Sequence, residues 1–151
     1  MKQVMYRFLL FIIIIVGAKA LNAQNVGLDF DGVDDVVTTT FNGVQGTANR
    51  TFEAWIYVNA NAPSSNLAIL DYGLNAVGSR NTFMINGSRG ISFISGGTDA
   101  NISSTPNLIQ DNQWTHVAFV LNNGIGYFYF NGSEVGTGSL STVDTPSGRS
   151  E

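Results

Sequence analysis

Apolar and polar residues alternate along most of this chain with a period of two. In Phe52 to Val58 one parity holds Phe52, Ala54, Ile56 and Val58, and the other holds Glu53, Trp55 and Tyr57. Successive side chains of a strand point to opposite sides of a sheet, so the first set is the natural core face. The same division runs through Thr115 to Leu121, where Val117, Phe119 and Leu121 oppose His116, Ala118 and Val120. In the next segment Phe128 and Phe130 oppose Tyr127 and Tyr129. Such segments recur at intervals of roughly ten to twenty residues, bounded by Gly, Asn, Asp or Ser, and no long stretch shows a helical period. The pattern predicts strands from Val26 to Phe30, Asp35 to Thr39, Phe52 to Val58, Ala68 to Tyr72, Thr82 to Asn86, Ile91 to Ser95, Thr115 to Leu121 and Ile125 to Phe130. A ninth begins near Glu134. Asn122-Asn123-Gly124 and Asn131-Gly132 supply the positive backbone angles of tight hairpin turns. The connections from Asn59 to Asn66, Gly73 to Arg80 and Gly96 to Gln110 read as surface loops. The fold class is all-β, a two-sheet antiparallel sandwich.

The two ends break the pattern. Lys2 and Arg7 precede an unbroken apolar run from Phe8 to Val16, followed by small residues. That run is shorter than the roughly 20 residues a membrane span needs, and it reads as a secretory signal peptide over residues 1–23, cleaved after Ala23 or Ala20. An uncleaved anchor is the alternative. The expectation is a secreted or cell-surface molecule that meets the membrane only through its export signal. After Leu140 the chain becomes rich in Ser, Thr and Gly, and residues 141–151 read as a truncated or disordered tail, with the closing strand of the sandwich missing. Residues 24–140 form the expected single domain.

Beyond residue 23 four arginines face eleven carboxylates, a formal charge of −7. Such a surface repels phosphate backbones, which excludes nucleic acid as a partner. The expected partner is a glycan or an extracellular protein. The chain has no cysteine, so disulfides and thiolate metal sites are absent and stability must come from packing. Four Asn-x-Ser/Thr sequons, at Asn49, Asn86, Asn101 and Asn131, fall within what this Asn-, Ser- and Thr-rich composition makes by chance.

Four motifs taken together carry a resemblance. Leu28-Asp29-Phe30-Asp31-Gly32-Val33-Asp34-Asp35-Val36-Val37, then Thr51-Phe52-Glu53-Ala54-Trp55-Ile56, then Gln113 to Val120, then Tyr129-Phe130-Asn131-Gly132, resemble the laminin G-like, concanavalin A-like lectin/glucanase jelly roll of secreted bacterial surface proteins. The resemblance implies a jelly-roll sandwich that binds glycans or proteins, often with a structural calcium, on a fold that some glycosidases also use. The glycine-containing strand and the closing Ile-Asp-Glu-Val type strand that usually follow in that family have no counterpart here.

The chemistry points the same way. Glycoside hydrolysis needs two carboxyl groups roughly 5 to 9.5 Å apart. The three glutamates, Glu53, Glu134 and Glu151, are isolated, and Glu53 has no second acid at alternate positions of its strand. The chain is therefore expected not to be an enzyme, with an ancillary or degenerate glycosidase domain as the alternative. His116 is the single histidine, which leaves too few ligands for zinc, and no nucleophile elbow accompanies it. Asp29, Asp31, Asp34 and Asp35 offer four carboxylates around a turn to a hard cation such as calcium, or a solvated turn at Asp31-Gly32. For sugar binding, Trp55, Tyr57, Tyr127 and Tyr129 form a candidate stacking surface, with Tyr72, Asn75, Asn86 and Arg89 as a polar fringe. The competing role for the same rings is packing beneath loops, in a structural or protein-contact domain of a larger cell-surface protein.

Overall fold

The computed structural model describes residues 27–97 and 101–146. The chain divides into two units, Met1–Asp31 and Gly32–Glu151. The described part of the first, residues 27–31, is exposed and carries no strand. The expected signal segment and Val26 lie outside the described residues, as do residues 147–151.

Among its described residues the second unit holds eight strands: β1 Arg50–Tyr57, β2 Leu67–Gly73, β3 Arg80–Ile85, β4 Ile91–Ile94, β5 Asn101–Ser103, β6 Trp114–Asn122, β7 Ile125–Phe130 and β8 Ser133–Ser139. They form two antiparallel sheets ordered β1-β6-β7-β8 and β2-β3-β4-β5, a jelly-roll sandwich. Both tight turns form as their sequence requires. Asn123 and Gly124 join β6 to β7 with φ of 49° and 76°, and Asn131 and Gly132 join β7 to β8 with φ of 48° and 82°. Asn and Gly are the residues that tolerate these angles in two-residue hairpins.

The alternation in β1 is realised in full: Phe52 is buried, Ala54 and Ile56 are half-buried, and Glu53, Trp55 and Tyr57 are exposed. The inner faces meet around five phenylalanines. Phe119 stacks on Phe93 with ring centroids 4.2 Å apart and planes within 5°, and Phe128, Phe52 and Phe83 follow at 5.4, 6.0 and 6.3 Å. Phe52, Phe119 and Phe128 come from the first sheet and Phe83 and Phe93 from the second, so the rings interdigitate across the interface.

A guanidinium also lies inside. Arg50, 4% exposed, donates from Nε to the Ala48 carbonyl at 2.9 Å and from Nη2 to that of Gly46 at 2.6 Å. Its Nη1 reaches the Val44 carbonyl at 2.9 Å, and Asn81 Oδ1 and Thr145 Oγ1 at 3.0 Å each. Buried Asn81 donates to the same Thr145 hydroxyl at 2.7 Å. Gly46 and Thr145 exchange backbone hydrogen bonds of 2.7 and 3.2 Å beside this cluster. The arginine thus ties the loop before β1 and the segment after β8 to the second sheet.

Four expectations change. Residues 27–30, the described part of the strand expected from Val26 to Phe30, form no strand. Residues 35–39 are exposed and form no strand, although Val36, Val37 and Thr38 favour extended structure. The connection from Gly96 to Gln110 contains β5 and buries Ile109. Residues 141–146, expected within the tail, pack on the sandwich, with Val143 and Thr145 buried.

Candidate functional site

Antiparallel register places Trp55 directly opposite His116, and Tyr57 opposite Trp114. All four side chains point away from the core, because β1 and β6 turn their other parity inward. The Trp55 and His116 ring centroids are 5.3 Å apart and the Tyr57 and Trp114 centroids 5.6 Å. Within each pair the planes are inclined, by 55° and 54°. The face is therefore corrugated. Trp55 is 66% exposed, Trp114 57% and Tyr57 43%. Rings so large normally bury most of their area, and here a contiguous group of them meets solvent.

The surroundings of the array are acidic and fixed. Glu53 Oε2 lies 3.6 Å from His116 Nε2. The amide of Asn131 donates to the His116 carbonyl at 2.9 Å, and the His116 amide donates to Asn131 Oδ1 at 3.0 Å, which pins the β7–β8 turn beside the array. Tyr129 continues the row of Glu53 and Ala118, and Tyr127 that of Thr51 and Val120; both tyrosines are half-buried. Thus Trp55, Tyr57, Tyr127 and Tyr129 do share one face. Trp114 belongs to it as well, although it was not among the rings of the expected stacking surface. The signal was available: position 114 has the parity of His116, so one more residue of strand aligns it with Tyr57.

The remaining candidates lie elsewhere. Tyr72 packs edge-on against Phe52 with centroids 5.9 Å apart, and its hydroxyl donates to the Val44 carbonyl at 3.1 Å, beside Arg50. Asn86 organises the β3–β4 turn: its Oδ1 accepts from the amides of Ser88 and Gly90, and its Nδ2 donates to Ser92. Arg89 pairs with Asp111 at 3.1 Å. These three hold the scaffold of the second sheet and its loops. Asn75 is exposed in the β2–β3 connection.

The aspartates divide between the units, Asp29 and Asp31 in the first and Asp34 and Asp35 in the second, and all are exposed. The Asp34 and Asp35 carboxylates lie within 4.8 Å of each other. Hard cations take six to eight oxygens, so this pair meets part of a calcium shell.

Two clefts open on the surface of the described residues. One of about 400 Å³ lies on the second sheet, lined by Asn66, Ala68, Arg80, Thr82, Met84 and Ile94. Arg80 there pairs with Asp71 at 2.9 Å, and the hydrogen bond and charge of that carboxylate hold its guanidinium above its ordinary value. Thr82 donates to the same carboxylate at 2.7 Å. The other cleft, about 290 Å³, lies at the β6–β7 turn between Thr47, Asn123 and Ser141.

The model of the concanavalin A-like lectin/glucanases superfamily matches residues 31–150. The chain belongs to this superfamily. The match takes in the array, the Arg50 cluster and both sheets. Among solved structures, a protein from Bacteroides ovatus ATCC 8483 named as a "putative carbohydrate binding protein" superposes with a TM-score of 0.51 at 21% sequence identity. The overlap covers 69% of this chain and 29% of that protein, so the superfamily fold is shared and this chain spans under a third of its neighbour's length. No curated protein matches the chain.

Proposed function

We propose that this member of the concanavalin A-like superfamily is a non-catalytic carbohydrate-binding module. The exposed array of Trp55, Tyr57 and Trp114 carries the reading. The apolar faces of sugar rings stack on aromatic side chains, and neighbouring carboxylate and amide groups such as Glu53 and Asn131 take the hydroxyls. The carbohydrate-binding name of the Bacteroides ovatus protein, on the same fold, points in the same direction.

The acidic residues of this face support binding over hydrolysis. Glu53 on β1 and Glu134 on β8 share a row but are separated by β6 and β7, about 14 Å at the usual spacing of strands. A glycosidase pair needs roughly 5 to 9.5 Å. Export is the second part of the reading, supported by the basic residues and apolar run of the first 23 positions. Calcium is at most an accessory to the turn at Asp34 and Asp35, outside the array.

The test is a glycan array probed with the full chain and with a Trp55→Ala, Trp114→Ala double variant. Binding by the first and loss in the second is expected. Equal binding by both, or no glycan bound by the native chain, would sink the reading and favour the contact-domain role.

A further inference from the structure

The same face also carries information on which glycan it takes, an inference that rests on the carbohydrate-binding reading above. We infer that the array binds internal stretches of soluble, uncharged polysaccharide, and rejects both acidic polymers and flat crystalline surfaces.

Charge comes first. The described arginines are each engaged by other groups: Arg50 is buried between the sheets, Arg80 is paired with Asp71 on the second sheet, and Arg89 is paired with Asp111. The charged groups that flank the rings are Glu53, its side chain 68% exposed, and Glu134 across the same row. An array fringed by carboxylates repels uronates and sulfated chains, and it places acceptors for the neutral hydroxyls of a sugar.

Openness comes second. Neither cleft is lined by Trp55, Tyr57, Trp114 or His116. Trp55, Trp114 and Tyr57 stand exposed on the outer face of the sheet formed by β1 and β6. A polymer can cross such a face at any point along its length.

Relief comes third. A flat crystalline surface needs aromatic rings in one plane. Here each cross-strand pair is inclined by 54° or 55°, so its two rings cannot lie flat on one planar surface. The two indoles occupy diagonal positions on adjacent strands, about 7 to 8 Å apart at the backbone. A single chain whose successive sugar rings are rotated relative to one another can follow rings inclined in this way.

The experiment uses the full chain with four probes: laminarin and arabinoxylan as soluble neutral polymers, polygalacturonate as an acidic one, and microcrystalline cellulose. Affinity electrophoresis reads the soluble polymers and depletion from solution reads the solid. Retardation by a neutral polymer is expected, weakened about tenfold by Trp55→Ala and by Trp114→Ala, each of which removes one stacking ring. Both residues are exposed, and an unchanged far-ultraviolet spectrum and melting temperature will show that the variants fold. Glu53→Gln, which removes a charge beside the rings, is expected to raise any retardation by polygalacturonate. Tryptophan-dependent binding to polygalacturonate or to cellulose would overturn this inference and leave the carbohydrate-binding reading standing. Binding to none of the four overturns the inference, and the reading falls with it if the wider array is silent too. A concentration-dependent dimer in sedimentation, lost in Trp55→Ala, would assign the face to a second copy and overturn both.

Discussion

Replacing Thr145 by Val removes one hydroxyl and changes almost nothing else in shape. That hydroxyl accepts from Arg50 Nη1 at 3.0 Å and from Asn81 Nδ2 at 2.7 Å, and both donors are buried. A buried donor left without its partner costs about 1–3 kcal/mol, and more for a charged group. Arg50 keeps the Val44 carbonyl and Asn81 Oδ1 as acceptors for the same nitrogen, so its share sits at the low end of that range. Asn81 carries the larger share, and the expected total is about 2–4 kcal/mol. Against a total stability of roughly 5–15 kcal/mol for a domain, that is a large fraction. Thr145→Ser keeps the hydroxyl and loses one methyl group, about 1 kcal/mol. Urea unfolding followed by circular dichroism separates the two, since the midpoint should fall much further for Val than for Ser while the slope stays constant. A Val variant within about 0.5 kcal/mol of the native chain, or a Ser variant less stable than the Val one, would refute the account of Arg50 as the tie between the ends of the domain.

Other consequences follow from the same geometry. Phe119→Ala takes away the ring that contacts four other phenylalanines, and is expected to cost about 4 kcal/mol in urea unfolding and to abolish near-ultraviolet aromatic signals. Gly132→Ala adds a methyl group to open space at φ 82°, so only the backbone term of about 1 kcal/mol should appear; Gly124→Ala should cost more, because its new Cβ also meets Ser141 Cα at 3.2 Å. A calcium chelator should shift the melting temperature by less than about 2 °C, well under 1 kcal/mol, since the core and the Arg50 cluster are built without the acidic turn. A larger shift would move calcium from accessory to structural element.

The sandwich was legible because its strands carry their face in their parity. Phe52, Ala54 and Ile56 against Glu53, Trp55 and Tyr57 leave one orientation that buries the apolar set, and the Asn-Gly pairs fix the hairpins. Three things escaped for physical reasons. The burial of Arg50 leaves no mark in the sequence, since its partners Asn81 and Thr145 are 31 and 95 positions away and no local pattern joins them. β5 is three residues of which two are polar, too short for alternation to register. Residues 141–146 read as a tail by composition, yet Val143 and Thr145 supply the contacts that matter. In the other direction, Val36, Val37 and Thr38 carry strand propensity without strand pairing, which shows that propensity measures fit to a sheet surface and not an intrinsic state. As for the candidate site, its rings could be assigned to a face from parity, but their assembly needed β1, β6 and β7 to be neighbours, a fact that resides in topology.

The most direct measurement exploits the two tryptophans of this chain, both in the array. Their exposure, 66% and 57%, means that acrylamide should quench the emission of the free protein efficiently. Titration with a soluble neutral polysaccharide should protect both indoles and shift their emission to the blue, saturating at the same concentration as the heat of binding measured by calorimetry. Saturable binding with emission and quenching unchanged would place the sugar elsewhere on the molecule and contradict the central claim.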